Sequence, residues 1–449
     1  MSLISGLACG SASWPFTIMT PRSALEKQLL AALKSRDERL IRRRLPDPSS
    51  STSSTLIDFN TNDYLSLASS PVLRRRFLEK LQDAPDVLGS GGSRLLVNGS
   101  AHSALEARLA EFFDSPTALL FNSGFDANVG FFSCIPQPGD VFVYDEYIHA
   151  SVHDGIRASR ARDSQYSFPH NSVQAFRNLL VGLRDERPSL AAGESSVFVA
   201  VESLYSMDGT FAPLQEFVKI LEEVFPQGNG YLVVDEAHST GIYGPQGRGR
   251  VAMLGLESRV FARLHTFGKA LAATGAVLLT TPLIRDYMLN YARSLIYTTS
   301  LSFSNIIAAD ASFDMLVDGT ARILSEHLMD ISWYFTRSLS RRLAAIPPDL
   351  LSLPPNLEAS PIIPIMTSQP RPLSAFLYTR GMNARPITWP TVPKGKDRVR
   401  VCLHAGNSRE DIDRLVNGMI DWAESVLIEQ QQISSGGSSL SGVLVASKL

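Results

Sequence analysis

Five short runs of uninterrupted apolar residues limit what this chain can fold into. They are Ala118-Leu119-Leu120-Phe121, Val141-Phe142-Val143-Tyr144, Val197 to Val201, Tyr231 to Val234 and Ala276 to Leu279. Each is bounded by Gly, Asp or Pro. Runs that do not alternate with polar residues suit strands buried on both faces. From about residue 58 to residue 302 such strands alternate with helical segments, which predicts an α/β layer fold on a mostly parallel sheet. Ligands of such a sheet sit at the carboxyl ends of its strands. Gly124, Asp145, Glu202 and Asp235 all follow strand ends.

Two strand-following segments carry chemistry. The run Tyr231 to Val234 ends in Asp235-Glu236-Ala237-His238, and a short apolar strand, Arg263 to Phe267, leads to Gly268 and Lys269. A strand-end aspartate followed later by a Gly-Lys is what an enzyme using pyridoxal phosphate needs. The lysine forms a Schiff base with the aldehyde. The aspartate keeps the ring nitrogen protonated, so that the ring absorbs electrons. Asp-Glu-Ala-His also serves helicases as a metal-binding motif. That reading requires a Gly-x-x-x-x-Gly-Lys-Ser/Thr phosphate loop, and the sequence has none. The neighbours of Lys269 are Thr, Phe, Gly, Ala, Leu and Ala, which argues against a solvated surface lysine.

At 449 residues the chain can bury a core large enough for two domains. An apolar content of 44% and a net charge of -2 give no basic excess for nucleic acid. No stretch is apolar for long enough to span a bilayer. Met1 to Thr20 lacks a basic n-region, which argues against a secretory signal. Cys9, Cys134 and Cys402 are scattered, so a disulfide framework or zinc site is not expected, and a reducing compartment is.

Residues 22–44 read as a basic amphipathic helix. Leu25, Leu29, Leu30, Leu33 and Leu40 form its stripe, and Arg42-Arg43-Arg44 close it before Pro46. With the Ser/Thr-rich linker Ser49 to Thr55, it makes an N-terminal arm over 1–57. The large domain spans 58–305. A long helical stretch then runs to about Ala345, followed by strands Ile362 to Met366 and Arg398 to Leu403. A last helix runs from Ser408 to about Glu429, with Ser408 as N-cap. Residues 306–430 thus read as a smaller α+β domain, and 431–449 as a flexible tail. The tail ends in Ser447-Lys448-Leu449, the tripeptide read by the peroxisomal import receptor. Peroxisomal location is expected, with cytoplasmic as the alternative.

Several segments stand in a telling order. They are Phe59-Asn60-Thr61-Asn62-Asp63-Tyr64-Leu65, Gly89-Ser90-Gly91-Gly92-Ser93-Arg94, Phe121-Asn122-Ser123-Gly124-Phe125 and Tyr147-Ile148-His149-Ala150-Ser151. Then come Glu202 with Ser206-Met207-Asp208-Gly209, Asp235 to Gly241, Thr266 to Lys269, and Leu295 to Ser300. Thr391-Val392-Pro393 with Arg398-Val399-Arg400 is the last. On these segments the chain resembles the α-oxoamine synthases from Ala24 to Glu429. These are fold-type I pyridoxal phosphate transferases of aspartate-aminotransferase-like architecture. Within the family it is most similar to the branch that joins L-alanine to pimeloyl-CoA in biotin synthesis.

The resemblance implies roles for individual residues. Lys269 carries the Schiff base, Asp235 pairs with the ring nitrogen, and His149 stacks on the ring. Ser206 and His238 bond the phenolic oxygen. Ser123, Gly124 and Phe125 offer helix-start N–H groups to the phosphate, joined by hydroxyls of Thr240 and Thr266. Thr298 and Thr299 reach the phosphate of a neighbouring subunit, which implies a homodimer. Asn62 and Arg400 hold the amino-acid carboxylate, with Arg398 on the same strand face as the alternative. Arg42 either touches coenzyme A or is a solvated helix end. Ser66, Ala270 to Gly275 and His404-Ala405-Gly406 depart from the family pattern, which bears on loop shape and the acyl pocket.

The implied reaction is decarboxylative condensation of an amino acid with an acyl-CoA. Sister reactions remain open: glycine with acetyl-CoA, glycine with succinyl-CoA to 5-aminolevulinate, or a secondary-metabolite synthase with another acyl-CoA. The absence of a membrane anchor argues against serine palmitoyltransferase. A catalytically dead partner subunit is opposed by the intact Lys269, Asp235 and His149.

Overall fold

The apolar runs lie side by side in one seven-stranded sheet of the computed structural model, which describes residues 23–45, 56–97, 99–355 and 357–436. Across the sheet the order is Thr117–Phe121, Ala276–Thr280, Ala262–Thr266, Gly230–Asp235, Val197–Glu202, Val141–Asp145 and Gln165–Phe168. Neighbours are parallel except around Ala276–Thr280, which is antiparallel to both of its partners. The central strands are apolar throughout because both faces are covered. Val197, Val199 and Val201 enter one core cluster, with helices Val173–Glu186 and Leu214–Val224. Phe198 and Ala200 enter another, with helices Gly124–Cys134 and Ala150–Ala158. Gln165–Phe168 escapes a hydropathy reading because it is the edge strand, where Gln165 and Ser167 are exposed.

A three-stranded antiparallel sheet, Arg385–Ile387, Arg398–Cys402 and Ile362–Met366, lies toward the C-terminus. Strand Ile57–Asp58 pairs in parallel with Met382–Asn383, so the start of this unit joins its last third. The expected boundary at 305 falls inside helix Phe303–Val317. One core cluster holds Phe59, Tyr64, Phe267, Phe313, Ile363 and Val401 together, and residues 55–449 form one unit. The boundary therefore parts two sheets without parting two cores.

Three helix limits differ from the sequence reading. The long helical stretch is two helices, Phe303–Val317 and Thr320–Leu343, parted by Gly319 at φ 83°. Glycine takes that left-handed conformation without steric cost. The last helix, Arg409–Gly436, overruns the expected end near Glu429, because Gln430-Gln431-Gln432 are good helix formers. The Ser408 hydroxyl accepts from Asp411 N–H at 3.1 Å, as an N-cap should. In the N-terminal unit, 1–54, the helix is only Ala24–Glu38. Leu40 lies at φ 55°, and Arg42 and Arg44 fold back onto Asp37 at 2.6 and 2.8 Å. Leu25, Leu29, Leu30 and Leu33 are exposed. The tail beyond 436, with Ser447-Lys448-Leu449, lies outside the described residues. Among the described residues no helix is long and apolar enough to cross a membrane.

Gly209 closes the loop after strand Val197–Glu202 at φ 65°, and an added Cβ would collide with the Ile362 carbonyl oxygen. Gly209→Ala is expected to cost about 3 kcal/mol through left-handed strain and displacement of that strand. A lower urea midpoint with unchanged slope is the expected measurement.

Candidate active site

Adjacent strand ends assemble the site. Asp235 ends one strand, Glu202 is its register partner on the next, and Lys269 follows strand Ala262–Thr266. Asp235 is buried. Its Oδ1 accepts from Ala237 N–H at 2.9 Å, and its Oδ2 accepts from Asn128 Nδ2 at 2.9 Å. No cationic side chain forms an ion pair with it among the described residues. A buried carboxylate without a cation is costly. A protonated pyridine ring would complete the pair, so these residues fit pyridoxal phosphate.

Burial holds the half-buried Lys269 amine below the usual lysine range, against the pull of Asp235 and Glu202. The amine therefore gives up its proton more readily than a surface lysine does. Burial, with Asp235 second, pushes the Glu202 carboxyl well above its usual range, which favours its neutral form. His238 is buried, with Nδ1 2.7 Å from the Tyr64 hydroxyl. That hydroxyl also reaches Asn62 Oδ1 at 3.1 Å. Burial, then Lys269 and Arg400, keep His238 neutral. His149 caps helix Ala150–Ala158, its Nδ1 accepting from Ser151 N–H at 3.3 Å and lying 2.8 Å from Ser151 Oγ. Its side chain is otherwise exposed, with Phe125 edge-on at 6.4 Å between ring centres.

Ser123 caps helix Gly124–Cys134 by accepting from Asp126 N–H at 3.1 Å. The first N–H groups of the helix, at Gly124 and Phe125, have no intrahelical acceptor and suit an anion. Thr266 stands beside Gly124, where an added Cβ would lie 3.5 Å from the Thr266 Cβ. Asn122 donates to Thr298 Oγ1 at 3.2 Å and to the Thr299 carbonyl at 2.7 Å, so both threonines lie next to this helix start in their own chain.

The other expected residues fall less simply. Thr240 is 1% exposed, and its hydroxyl donates to the Glu236 carbonyl at 2.7 Å and lies 3.0 Å from His265 Nδ1. It braces the turn after Asp235 and presents no oxygen to a phosphate, contrary to expectation. Ser206 uses its carbonyl to accept from Arg400 at 3.2 Å. Arg42 belongs to the N-terminal unit and pairs there with Asp37, which is the solvated helix-end alternative.

The two strand arginines separate by their partners. Arg398 is 2% exposed and committed to the Asp208 carboxylate, the Met207 carbonyl at 3.1 Å and the Lys396 carbonyl at 2.9 Å. Among the described residues Arg400 has only the Ser206 and Asn60 carbonyls, each at 3.2 Å, and its Nε is unpartnered. A buried guanidinium lacking a counter-anion is ready for a ligand carboxylate. Sequence reasoning missed Asn128 and Ser151. The signal for Asn128 is a polar residue among the buried positions of the apolar helix Gly124–Cys134.

A cavity of about 320 Å³ opens beside Ser206, walled by Tyr147, Ile148, Met207, Trp389 and Val392. A larger one of about 780 Å³, between helix Thr320–Leu343 and residues 346–357, touches none of the site residues. Among the described residues no cluster of His, Cys, Asp or Glu could hold a metal ion.

Residues 54–419 match the family described as Aminotransferase class I and II. An 8-amino-7-oxononanoate synthase of Emericella nidulans is 47% identical, over 89% of this chain and 96% of its own. An aminoacyl transferase sphA of Aspergillus fumigatus is 40% identical, over 85% and 83%. Among solved structures, a serine palmitoyltransferase carrying pyridoxal phosphate superposes with TM-score 0.75 at 25% identity, covering 90% of this chain and 99% of that one. An 8-amino-7-oxononanoate synthase of Francisella tularensis has TM-score 0.65 at 26% identity, covering 84% and 99%.

Arg400→Ala is expected to weaken binding of an amino-acid carboxylate by about ten- to a hundredfold, the worth of a charge-assisted bidentate contact. Arg398→Ala is expected to act on stability, at about 3–5 kcal/mol, because it strands Asp208. Ligand titration and thermal melts of both variants separate the two effects.

Proposed function

We propose the following reaction for this chain, which belongs to the class I and II aminotransferase family and, within it, to the pyridoxal phosphate-dependent α-oxoamine synthases. It joins L-alanine to pimeloyl-CoA, releasing carbon dioxide and coenzyme A, to form 8-amino-7-oxononanoate for biotin synthesis. The observation that carries the reading is the buried, cation-free Asp235 in the electrostatic neighbourhood of the perturbed Lys269 amine. The relative at 47% identity names the product.

Bound pyridoxal phosphate supplies an electron sink for the carbon that loses a proton. Lys269 Nζ would hold the cofactor aldehyde, and its free amine would take the α-proton of the amino acid. Asp235 keeps a proton on the ring nitrogen. Neutral His238, bonded to the Tyr64 hydroxyl through Nδ1, would face the phenolic oxygen with Nε2, and His149 would cover the ring. Arg400 and Asn62 hold the α-carboxylate, which sets the Cα–H bond for Lys269. The N–H groups of Gly124 and Phe125, with the Thr266 hydroxyl, hold the phosphate. The cavity beside Ser206, where Ile148, Met207, Trp389 and Val392 stand with Glu146 and Asp208, would receive the acyl chain.

The working form is a homodimer. Leu88, Leu96 and Tyr297 are 78%, 82% and 72% exposed, and their segments would offer apolar side chains to a second copy. Ser90 and Ser300, bonded at 2.6 Å, hold their two segments together. A second copy on this patch would bring Thr298 and Thr299 to its own phosphate. Import through the peroxisomal receptor by Ser447-Lys448-Leu449 places the enzyme where acyl-CoA is made by fatty-acid oxidation. The 40% identity to an aminoacyl transferase favours one second reading, a secondary-metabolite synthase using another acyl-CoA.

Purified protein with L-alanine and pimeloyl-CoA should release coenzyme A and the amino ketone, and Lys269→Ala should abolish both. Turnover with other pairs but not with this one would move the chain to a sister reaction. Removing Ser447-Lys448-Leu449 should leave activity in vitro unchanged and shift an N-terminally tagged protein to the cytosol under the microscope. The same cytosolic distribution with and without the tripeptide would make it a coincidence.

A further inference from the structure

His149 and Asp235 stand on different elements, yet a continuous run of hydrogen bonds joins them. From His149 Nδ1 it passes to Ser151 Oγ at 2.8 Å, then to Asn128 Nδ2 at 3.0 Å and to Asp235 Oδ2 at 2.9 Å. Ser151 is 0% exposed and Asn128 4%. The chemistry fixes the direction of every link. Asn128 Nδ2 only donates, so one of its protons goes to the Asp235 carboxylate and the other to Ser151 Oγ. The opposite amide orientation would set a carbonyl oxygen against that carboxylate. Ser151 then gives its own proton to His149 Nδ1. The Ser151 backbone N–H points at the same nitrogen from 3.3 Å, a longer contact that supports the same state. Nδ1 is therefore a lone-pair nitrogen. In the neutral ring the proton sits on Nε2, which has no partner among the described residues.

We propose that Asn128, acting through Ser151, is a positioning residue that sets the His149 tautomer and the Asp235 orientation together. His149 then offers Nε2–H as a fixed donor over the cofactor ring. Asp235 is anchored at both oxygens by donors, in the orientation that would meet the ring nitrogen. The inference rests on the proposed function only for what the two side chains face. The tautomer is a property of the chain itself.

Nitrogen-15 NMR of the histidine-labelled holoenzyme, with His149→Gln to assign the ring, reads that tautomer. The wild type is expected to show an unprotonated Nδ1 and a protonated Nε2. Asn128→Asp keeps the shape, its carboxyl sharing a proton with Asp235 and turning its other oxygen to Ser151. The new carboxyl accepts the serine proton and the serine oxygen turns a lone pair to His149, so that Nδ1 is held open only by the long 3.3 Å backbone contact, and an Nδ1–H signal is expected to grow in. An unchanged His149 spectrum in Asn128→Asp overturns the relay. If that variant does not fold, Asn128→Leu and Ser151→Ala decide through the cofactor dissociation constant. Each is expected to weaken binding about tenfold, because a buried polar atom loses its partner. Both break one bridge, so the double variant should fall well short of about a hundredfold. Losses that simply multiply overturn the proposal. A wild type that binds no pyridoxal phosphate would count against the proposed function, and the tautomer would then be read in the apo-protein.

Discussion

Asp235 ends a strand buried on both faces, held by two hydrogen bonds and paired with no cation. In a medium of low polarity such a charge persists only if donors hold it and a positive partner can reach it. The two donors come from the turn at Ala237 and from Asn128 on helix Gly124–Cys134. That helix also starts at the Ser123 cap, with the Gly124 and Phe125 N–H groups free of intrahelical acceptors. One packing contact between helix and strand therefore sets the spacing between Asp235 and that helix start. The neighbouring carboxyl, Glu202, takes the other outcome open to a buried acid, since desolvation and Asp235 both favour its neutral form.

Two departures from the family pattern prove to be one feature. Ser66 lies at φ 54°, ψ 33°, a left-handed conformation that glycine adopts more cheaply. Its hydroxyl accepts from Gly406 N–H at 2.8 Å. An added Cβ on Gly406 would lie 2.8 Å from that same hydroxyl oxygen, so Gly406 suits Ser66. His404 lies 3.0 Å from the Asp58 carbonyl and 3.1 Å from the Thr61 carbonyl, and Ala405 N–H donates to the Tyr64 carbonyl at 2.7 Å. The loop so fastened carries Asn62, Tyr64 and the Asn60 carbonyl that meets Arg400. These departures shape the loop, which is one of the two effects the sequence reading expected of them.

Much of the architecture was legible before any coordinates. Uninterrupted apolar runs mark strands covered on both faces, and residues just after them mark the functional edge, because both follow from local hydropathy and chain direction. Gln165–Phe168 was not legible, since an edge strand keeps polar residues on its open side. The Gly319 break was missed because helical periodicity continues across a single left-handed glycine. The shared core of the two sheets depends on Ile57–Asp58 pairing with Met382–Asn383, a contact between distant parts of the chain that local patterning cannot express.

The sequence by itself determined which chemistry is present: an aspartate and a lysine after buried strands, a serine-capped helix, and two arginines on one strand face. Those assignments depend on residue type and on spacing within single elements. Only the tertiary structure decided which groups are free to act. Arg398 is spent on Asp208 while Arg400 is left without a counter-anion, and Thr240 is turned inward to Glu236. Asn128 and Ser151 join His149 to Asp235 across two helices and a strand. Whether a polar group is satisfied depends on partners supplied by other elements, and those meet only once the layers have packed.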